Sequence, residues 1–218
     1  MRIKLQGIII EGQTSIKTNY NHEMYSMILT NISTERATYI HEKKRFKRLF
    51  TFSNLYISEN KVHFYVSGQD EIIKDFINCI MFNQMVRIGD RVISITNIEP
   101  MRNSLETKKE YIFKSNFIVN QKENDKVCLS KDNEYIIRRI SEIVKDKYKE
   151  IYNEEINDNL NVEILNNKQK YTKYKDHHLN SYQATLRVNG DKRLIDLLYN
   201  VGIGENTASG HGFVWEVS

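Results

Sequence analysis

The sequence is poor in cysteine and proline and has no long apolar run. Its 218 residues include two cysteines, Cys79 and Cys128, which are too few for a disulfide framework or a four-cysteine zinc site. No stretch approaches the roughly 18 apolar residues that a membrane-spanning helix requires, and the opening residues do not form a signal peptide. We therefore expect a cytoplasmic protein with no membrane partner.

The charge of the chain is unevenly distributed. Hydrophobic residues make up 40% and charged residues 28%, which is typical of a globular protein rather than a disordered one. The net charge is +4, but residues 36–48 contain six basic residues and one acidic residue, so this segment alone carries +5. The rest of the chain is close to neutral, and the positive field is concentrated in one short segment.

Apolar spacing predicts the order β-α-β-β-α-β in the first half of the chain. The predicted strands are residues 1–10, 49–58, 61–67 and 85–98, with a hairpin turn at residues 59–60. Asn21 and Asp70 are the predicted N-caps of the two helices, and Pro100 is expected to close the last strand.

The second half repeats the same order. Strands are predicted at residues 110–120, 160–165, 182–188 and 213–217, with a helix at residues 131–152 and another capped by Asp191. The polar stretch 166–180 is predicted to be a long exposed loop. The repeat predicts an α+β protein of two tandem ferredoxin-like (RRM-like) domains, residues 1–105 and 106–218, each an antiparallel sheet backed by two helices.

Four of the nine glycines lie close together near the C-terminus, at positions 202, 204, 210 and 212. Glycine tolerates positive φ and lets another backbone approach closely, so two G-x-G pairs can form a loop whose amides face phosphates. The structural alternative is a plain turn between a helix and a strand. Neither the Walker pattern nor the dinucleotide-binding glycine pattern is present, so we expect no cofactor.

A basic segment is the second informative stretch. Nucleic acids are bound by cations that contact phosphates and by aromatic rings that stack on bases. Both occur in residues 43–48, which read Lys43, Lys44, Arg45, Phe46, Lys47 and Arg48. The alternative is a solvated charged loop that leads into a strand.

His41 lies two residues before this basic run. A neutral imidazole can take the proton from a ribose 2′-OH, or return one to a leaving oxygen, near pH 7 without a metal. The neighbouring cations favour the neutral imidazole and could stabilise a pentacovalent phosphate. The alternative is that His41 only caps the first helical region. The carboxylates have no spacing that indicates a two-metal nuclease, so no metal site is expected.

Three motifs together resemble a known family, the sixth numbered family of CRISPR-associated proteins within the RAMP superfamily. Members are endoribonucleases that cut repeat RNA in the precursor transcript to give guide RNAs. The motifs are Tyr-Asn-His at residues 20–22, the segment 39–53 with His41 and the basic run, and the glycine loop at residues 202–212. They occur in the family's order along almost the whole chain.

The resemblance implies a metal-independent cleavage within each repeat. The 2′-OH attacks its own 3′-phosphate and leaves a 2′,3′-cyclic phosphate and a 5′-OH. His41 matches the catalytic histidine of the family, and Lys47 matches a lysine that supports the transition-state charge; a shift of one residue would place Arg48 there. The glycine loop is expected to pack against an RNA-binding cleft between the two domains.

One departure from the family pattern concerns a third catalytic group. Some members carry a tyrosine late in the first helix, where this chain reads Leu-Thr-Asn-Ile at residues 29–32. Tyr25 or Tyr39 could substitute, although neither position matches.

The expected partners are CRISPR repeat RNA and CRISPR-associated proteins of an interference complex, and the oligomeric state, monomer or homodimer, stays open. One alternative is a binding protein of the same family that does not cut RNA. Another is a metabolic enzyme that binds a small phosphorylated ligand, but it leaves the basic run unexplained. RNA contacts are predicted at Lys43, Lys44, Arg45, Arg48, Gly202, Gly204, Gly210, His211 and Gly212.

Overall fold

The structure is a computed structural model that describes residues 1–14, 20–42, 49–123, 126–174 and 177–217. Its first half contains a six-stranded antiparallel sheet. The central strand β1 pairs with β4 and β6, and the strand order is β2-β4-β1-β6-β5, with β3 also paired to β4. The strands are β1 (Arg2–Glu11), β2 (Phe50–Phe52), β3 (Tyr56–Ser58), β4 (Lys61–Gly68), β5 (Met85–Ile88) and β6 (Arg91–Met101).

Three helices accompany this sheet: α1 (Asn21–Thr30), α2 (Thr34–Glu42) and α3 (Asp70–Asn83). Successive side chains of a strand point to opposite faces. Ile3, Leu5 and Phe64 are fully buried and form one core with the apolar faces of α1 and α3. Their strand neighbours His63 and Tyr65 are half-buried on the opposite face.

The second half contains a four-stranded antiparallel sheet with the order β10-β11-β7-β12 and a separate hairpin, β8-β9. The apolar face of α4, with Ile140 and Val144, and that of α5, with Leu194 and Leu198, are buried in the same core. The elements are β7 (Tyr111–Phe117), β8 (Asn120–Glu123), β9 (Lys126–Leu129), α4 (Asn133–Tyr152), β10 (Leu160–Tyr174), β11 (His177–Gly190), α5 (Lys192–Val201) and β12 (Val214–Glu216).

The prediction of a long exposed loop at residues 166–180 is wrong. β10 and β11 pair from Leu160 to Tyr174, so the described part of this stretch is antiparallel strand. β7 pairs with β11 only from Tyr182 to Val188, and the outer part of the hairpin therefore extends beyond the sheet. Both faces of that extension lack a sheet to cover them, and its residues are polar without the alternation that marks a half-buried strand.

Several boundaries also differ from the prediction. α1 begins at Asn21 and α3 at Asp70, so these residues are the first of each helix rather than N-caps. Asp191 is the N-cap of α5 as predicted, since its carboxylate accepts a hydrogen bond from the amide of Arg193. Pro100 does not close β6, which continues to Met101. The helix α2 and the hairpin β8-β9 were not predicted.

A buried arginine joins the two halves of the molecule. Arg2, at the start of β1, donates from its guanidinium to the carbonyls of Tyr199 at 2.5 Å and Val214 at 2.9 Å. Its charge lies 3.6 Å from the ring centroid of Tyr199, and burial lowers its pKa to about 10. Ser67 donates across the same junction to the carbonyl of Asn200. No helix in the described part of the chain has the length and apolar character needed to cross a membrane.

Candidate RNA-processing site

The three sequence motifs meet at one place in the structure. A methyl group placed on Gly210 would lie 2.6 Å from Cε2 of Phe52 and 2.9 Å from Cγ of Asn21. Asn21 begins α1, Phe52 ends β2, and Gly210 follows the short 3₁₀ turn Thr207–Ser209. Gly210 is therefore in direct contact with two segments that lie more than 150 residues before it in the sequence. The segment containing β2 begins directly after the basic run.

The conformation of the loop requires glycine at several positions. Gly204 has φ +75°, and a Cβ there would lie 2.5 Å from the carbonyl oxygen of Ile118. Gly212 has φ +99°, and a Cβ would overlap the carbonyl oxygen of Ile203. Because a side chain would collide with protein backbone at both positions, these glycines serve close packing inside the molecule.

Three of the four glycine amides in the loop donate hydrogen bonds to carbonyls of the protein. The amide of Gly202 donates to Leu198, that of Gly210 to Thr207 and that of Gly212 to Asn116. These three N–H groups are therefore not directed at a ligand in this structure. The geometry gives the glycines a packing role, and their contact with RNA stays a prediction.

His211 lies inside the protein, with 3% of its surface exposed. Burial, with a smaller effect from the charge of Lys170, lowers its pKa to about 4, so the imidazole is neutral at pH 7. Its Nε2 has no hydrogen-bond partner among the described residues. The predicted contact with RNA would therefore require the imidazole to become accessible.

His41 lies in the last turn of α2, and its side chain lies outside the described part of the structure. Lys43, Lys44, Arg45, Lys47 and Arg48 also lie outside the described residues. The neighbouring Ile40 is fully buried, which anchors the end of α2 to the core just before His41.

The two tyrosines considered as a third catalytic group have different environments. Tyr25 is buried on α1, with its ring stacked 6.1 Å from that of Phe50. Tyr39 is exposed on α2, two residues before His41. Of the two, Tyr39 has the accessibility that contact with RNA requires.

A cleft of about 530 Å³ separates the two sheets next to Gly210, and the sequence did not predict it. Among its described lining residues are two lysines and four aromatic rings, and none of these described residues is acidic. The lining residues are Phe52, Ser53, Asn54, Tyr56, Lys114, Ser115, Asn116, Asn166, Lys168, Gln183, Ala184, Thr185, Gly210, Phe213 and Trp215.

An aromatic row runs along this cleft from the first sheet to the second. Tyr56 stacks on His63 with a centroid distance of 4.8 Å, and Tyr65 meets Trp215 edge-on at 4.8 Å. Burial and the charge of Lys4 lower the pKa of His63, so its ring is neutral at pH 7. Alternating aromatic residues on one strand, here positions 63 and 65, are the signal by which sequence analysis could have found the row.

The arrangement combines cations and aromatic rings without carboxylates, which suits a single-stranded nucleic acid. Within the described ranges, no group of three histidine, cysteine, aspartate or glutamate side chains is placed to hold a metal ion. The chemistry that the described cleft can perform is therefore binding, whereas the candidate base, His41, lies at the end of α2.

Comparison with known proteins identifies the family. Residues 102–215, more than half of the chain, match the family model described as CRISPR associated protein Cas6, C-terminal. The chain belongs to the Cas6 family. The Cas6 match includes the glycine loop, the first two residues of β12 and the cleft-lining residues contributed by the second half.

Relatives of the Cas6 family align over almost the entire chain. The CRISPR-associated endoribonuclease Cas6 1 of Methanocaldococcus jannaschii is 26% identical, over 100% of this chain and 93% of the relative. The CRISPR-associated endoribonuclease Cas6 of Pyrococcus furiosus is 26% identical, over 98% of this chain and 89% of the relative. The solved structure of a Cas6-related protein from Pyrococcus furiosus superposes with a TM-score of 0.82 at 24% identity, covering 100% of this chain and 98% of that one.

Proposed function

We propose that this chain is an endoribonuclease that cuts CRISPR repeat RNA in the precursor transcript to give guide RNAs. The observation that carries the proposal is the contact of Gly210 with Asn21 and Phe52, which joins the three family motifs in one place. The membership of the Cas6 family and the endoribonuclease names of two full-length relatives support it.

The proposed architecture is two tandem ferredoxin-like domains, residues 1–105 and 106–218. A similar strand arrangement supports it: the first strand of each half lies at an inner position of its sheet, β1 between β4 and β6 and β7 between β11 and β12. The proposed boundary falls between β6 and β7, where residues 102–110 form neither helix nor strand. In this architecture the cleft lies where residues of the two sheets face each other.

The proposed chemistry needs no metal. His41 takes the proton of the ribose 2′-OH, the resulting oxyanion attacks the adjacent phosphorus, and the bond to the 5′-oxygen of the next nucleotide breaks. The upstream RNA ends in a 2′,3′-cyclic phosphate, and the leaving 5′-oxygen takes a proton from the His41 imidazolium or from water to become a 5′-OH. Lys47 stabilises the negative charge that accumulates on the phosphoryl oxygens in the transition state.

RNA binding is proposed to use two surfaces. The cations Lys43, Lys44, Arg45 and Arg48 contact backbone phosphates next to His41. The cleft beside Gly210 receives single-stranded nucleotides, whose bases stack on its aromatic rings. We also propose a cytoplasmic location and association of the product complex with other CRISPR-associated proteins.

The decisive experiment uses repeat RNA from the protein's own CRISPR locus in the presence of EDTA. We expect a single cut, and no cut in a matched RNA with a 2′-deoxyribose immediately 5′ of the cleavage site. The variant His41→Ala should bind the RNA normally and cut about 10²–10⁴-fold more slowly. Cutting by His41→Ala at the parental rate would refute the assignment of His41.

A second candidate function is a protein that binds repeat RNA without cutting it. The absence of tyrosine at residues 29–32 and the burial of Tyr25 favour it. In the same experiment this candidate predicts a tight shift of both the ribose and the deoxyribose RNA with no product. The two functions share their binding surfaces and differ at His41 and its surroundings.

A further inference from the structure

A buried lysine contacts the glycine loop from the side opposite to the RNA-processing site. Lys147 lies on α4 between Val144 and Tyr148, and 7% of its surface is exposed. Its Nζ donates to the carbonyl oxygen of Gly202 at 2.9 Å and to that of Gly204 at 3.4 Å. A lysine this deep in a protein needs such partners, because an unpaired buried charge is strongly unfavourable.

No carboxylate forms an ion pair with Lys147 among the described residues. The nearest acidic residue of the loop, Glu205, bonds instead to Arg139 and to the side-chain amide of Asn120. Desolvation alone lowers the pKa of Lys147 to about 7. The adjacent Tyr148 is also buried and packs against Tyr152 and Arg193.

The two carbonyls that Lys147 binds determine where the loop leaves α5. Gly202 is the C-cap of that helix, where unpaired carbonyls carry partial negative charge. Between the two carbonyls, the amide of Ile203 donates to the carbonyl of Gly212, which ties the beginning of the loop to its end. A displacement at Gly202 is therefore transmitted to Gly212 and to the neighbouring Gly210.

We propose that Lys147 is a positioning residue for RNA cleavage: its two hydrogen bonds hold the glycine loop so that Gly210 seats against Asn21 and Phe52. The inference rests on the proposed function. Lys147 does not touch the RNA, and it acts through the loop on the segments that flank the cleavage site.

The test compares Lys147→Met with Lys149→Met. Both remove one positive charge from α4, but Lys149 is 61% exposed and pairs only with Glu155 among the described residues. Methionine nearly preserves the volume of lysine and removes the donor. Under single-turnover conditions with saturating protein, Lys147→Met should cut repeat RNA at least about 10-fold more slowly. Its Kd for RNA should stay within about threefold of the parent, and Lys149→Met should match the parent in both quantities.

A pH series separates positioning from a general loss of structure. The rates of the parent and of Lys147→Met are compared as a ratio at each pH, so that any pH dependence common to both proteins cancels. We expect this ratio to be largest near pH 6 and to fall as the pH rises through about 7, where Lys147 loses its proton. A ratio close to 1 at every pH, or an equal loss of rate and affinity, would overturn the proposal.

Two further measurements keep the outcome decisive. All rates are taken below the unfolding temperature of each variant, and Lys147→Leu, which also removes the donor, replaces Lys147→Met if the latter does not fold. If the parent binds RNA without cutting it, the proposed function fails, and amide hydrogen exchange then tests the loop directly. Lys147→Met should accelerate exchange at Ile203 and Gly212 about 10-fold or more relative to Lys149→Met, and unchanged exchange would refute the proposal.

Discussion

The glycine loop at residues 202–212 and the cleft beside it share Gly210 but differ in almost every other respect. In the loop, amides donate to protein carbonyls, and the carbonyls of Gly202 and Gly204 accept from a buried lysine. In the cleft, aromatic rings and two lysines line an open space between the sheets. The loop is an internal support, and the cleft is the surface that a ligand can reach.

This contrast shows why a conspicuous motif need not be the binding surface. Clustered glycines stand out in a sequence because glycine fits backbone conformations and close contacts that other residues do not. In this loop, glycine is needed because carbonyl groups of the protein lie close to its Cα atoms. The residues of the cleft are ordinary in sequence and acquire their meaning only when two sheets come together. Substitutions in the loop and in the cleft test whether the two regions have these different roles.

The largest effect is expected from Gly212→Ala. The methyl group would overlap the carbonyl oxygen of Ile203 in a backbone with φ +99°, so the free energy of unfolding should fall by about 3–5 kcal/mol. Gly89→Ala is the matched control, since φ is +63° there but the nearest atom to a Cβ, Cγ of Glu23, is 3.4 Å away. The control should lose about 1 kcal/mol. Equal losses in urea denaturation would show that packing does not require Gly212.

A smaller, pH-dependent effect is expected at His211. Its pKa is about 4 in the folded protein and about 6.5 when unfolded, so the unfolded chain binds the proton more readily. The stability that the neutral imidazole contributes is fully present above pH 6.5 and is lost as the pH falls through 4, a change of about 3 kcal/mol. The difference in unfolding free energy between the parent and His211→Gln should follow this dependence. A difference that is constant from pH 7.5 to 4 would contradict the buried, neutral state.

The smallest effect on stability, but a clear one on binding, is expected from Trp215→Leu. Removing a ring on which a base stacks should make the free energy of binding single-stranded repeat RNA less favourable by about 1–3 kcal/mol. The Kd is measured by fluorescence anisotropy in the His41→Ala background, so that cleavage does not interfere. Phe82→Leu is the control, because Phe82 is 97% exposed at the end of α3 and does not line the cleft. If both variants bind equally well, the cleft is not an RNA surface.

Much of the fold could be predicted because helices and strands bury one face each. The spacing of Ile136, Ile140 and Val144 identifies α4, and the alternation around Phe64 identifies β4. The extended β10-β11 hairpin could not be predicted in this way, because its outer part has no buried face. Helix α2 was missed because its nine residues have few apolar positions and no distinct stripe.

The site was less predictable than the fold. The glycine positions were identified correctly as special, but the amides were expected to face phosphates, whereas those of Gly202, Gly210 and Gly212 bond to the protein. Lys147 could not be recognised, because a lysine in a helical pattern is normally exposed and only tertiary packing buries it. Tyr65 and Trp215 lie 150 positions apart, and no local pattern indicates that their rings meet.

The burial of Arg2 has a consequence for the order in which the molecule is built. Its bond to Val214 spans 212 positions, so during synthesis from the N-terminus the first sheet exists long before this partner emerges. Until then the guanidinium is open to water, and its side-chain partner in the described part of the first half is the hydroxyl of Ser67, which accepts from Nε at 3.3 Å. Docking of the two halves therefore completes folding, and a ribosome-bound chain stalled before residue 199 should still present Arg2 to water.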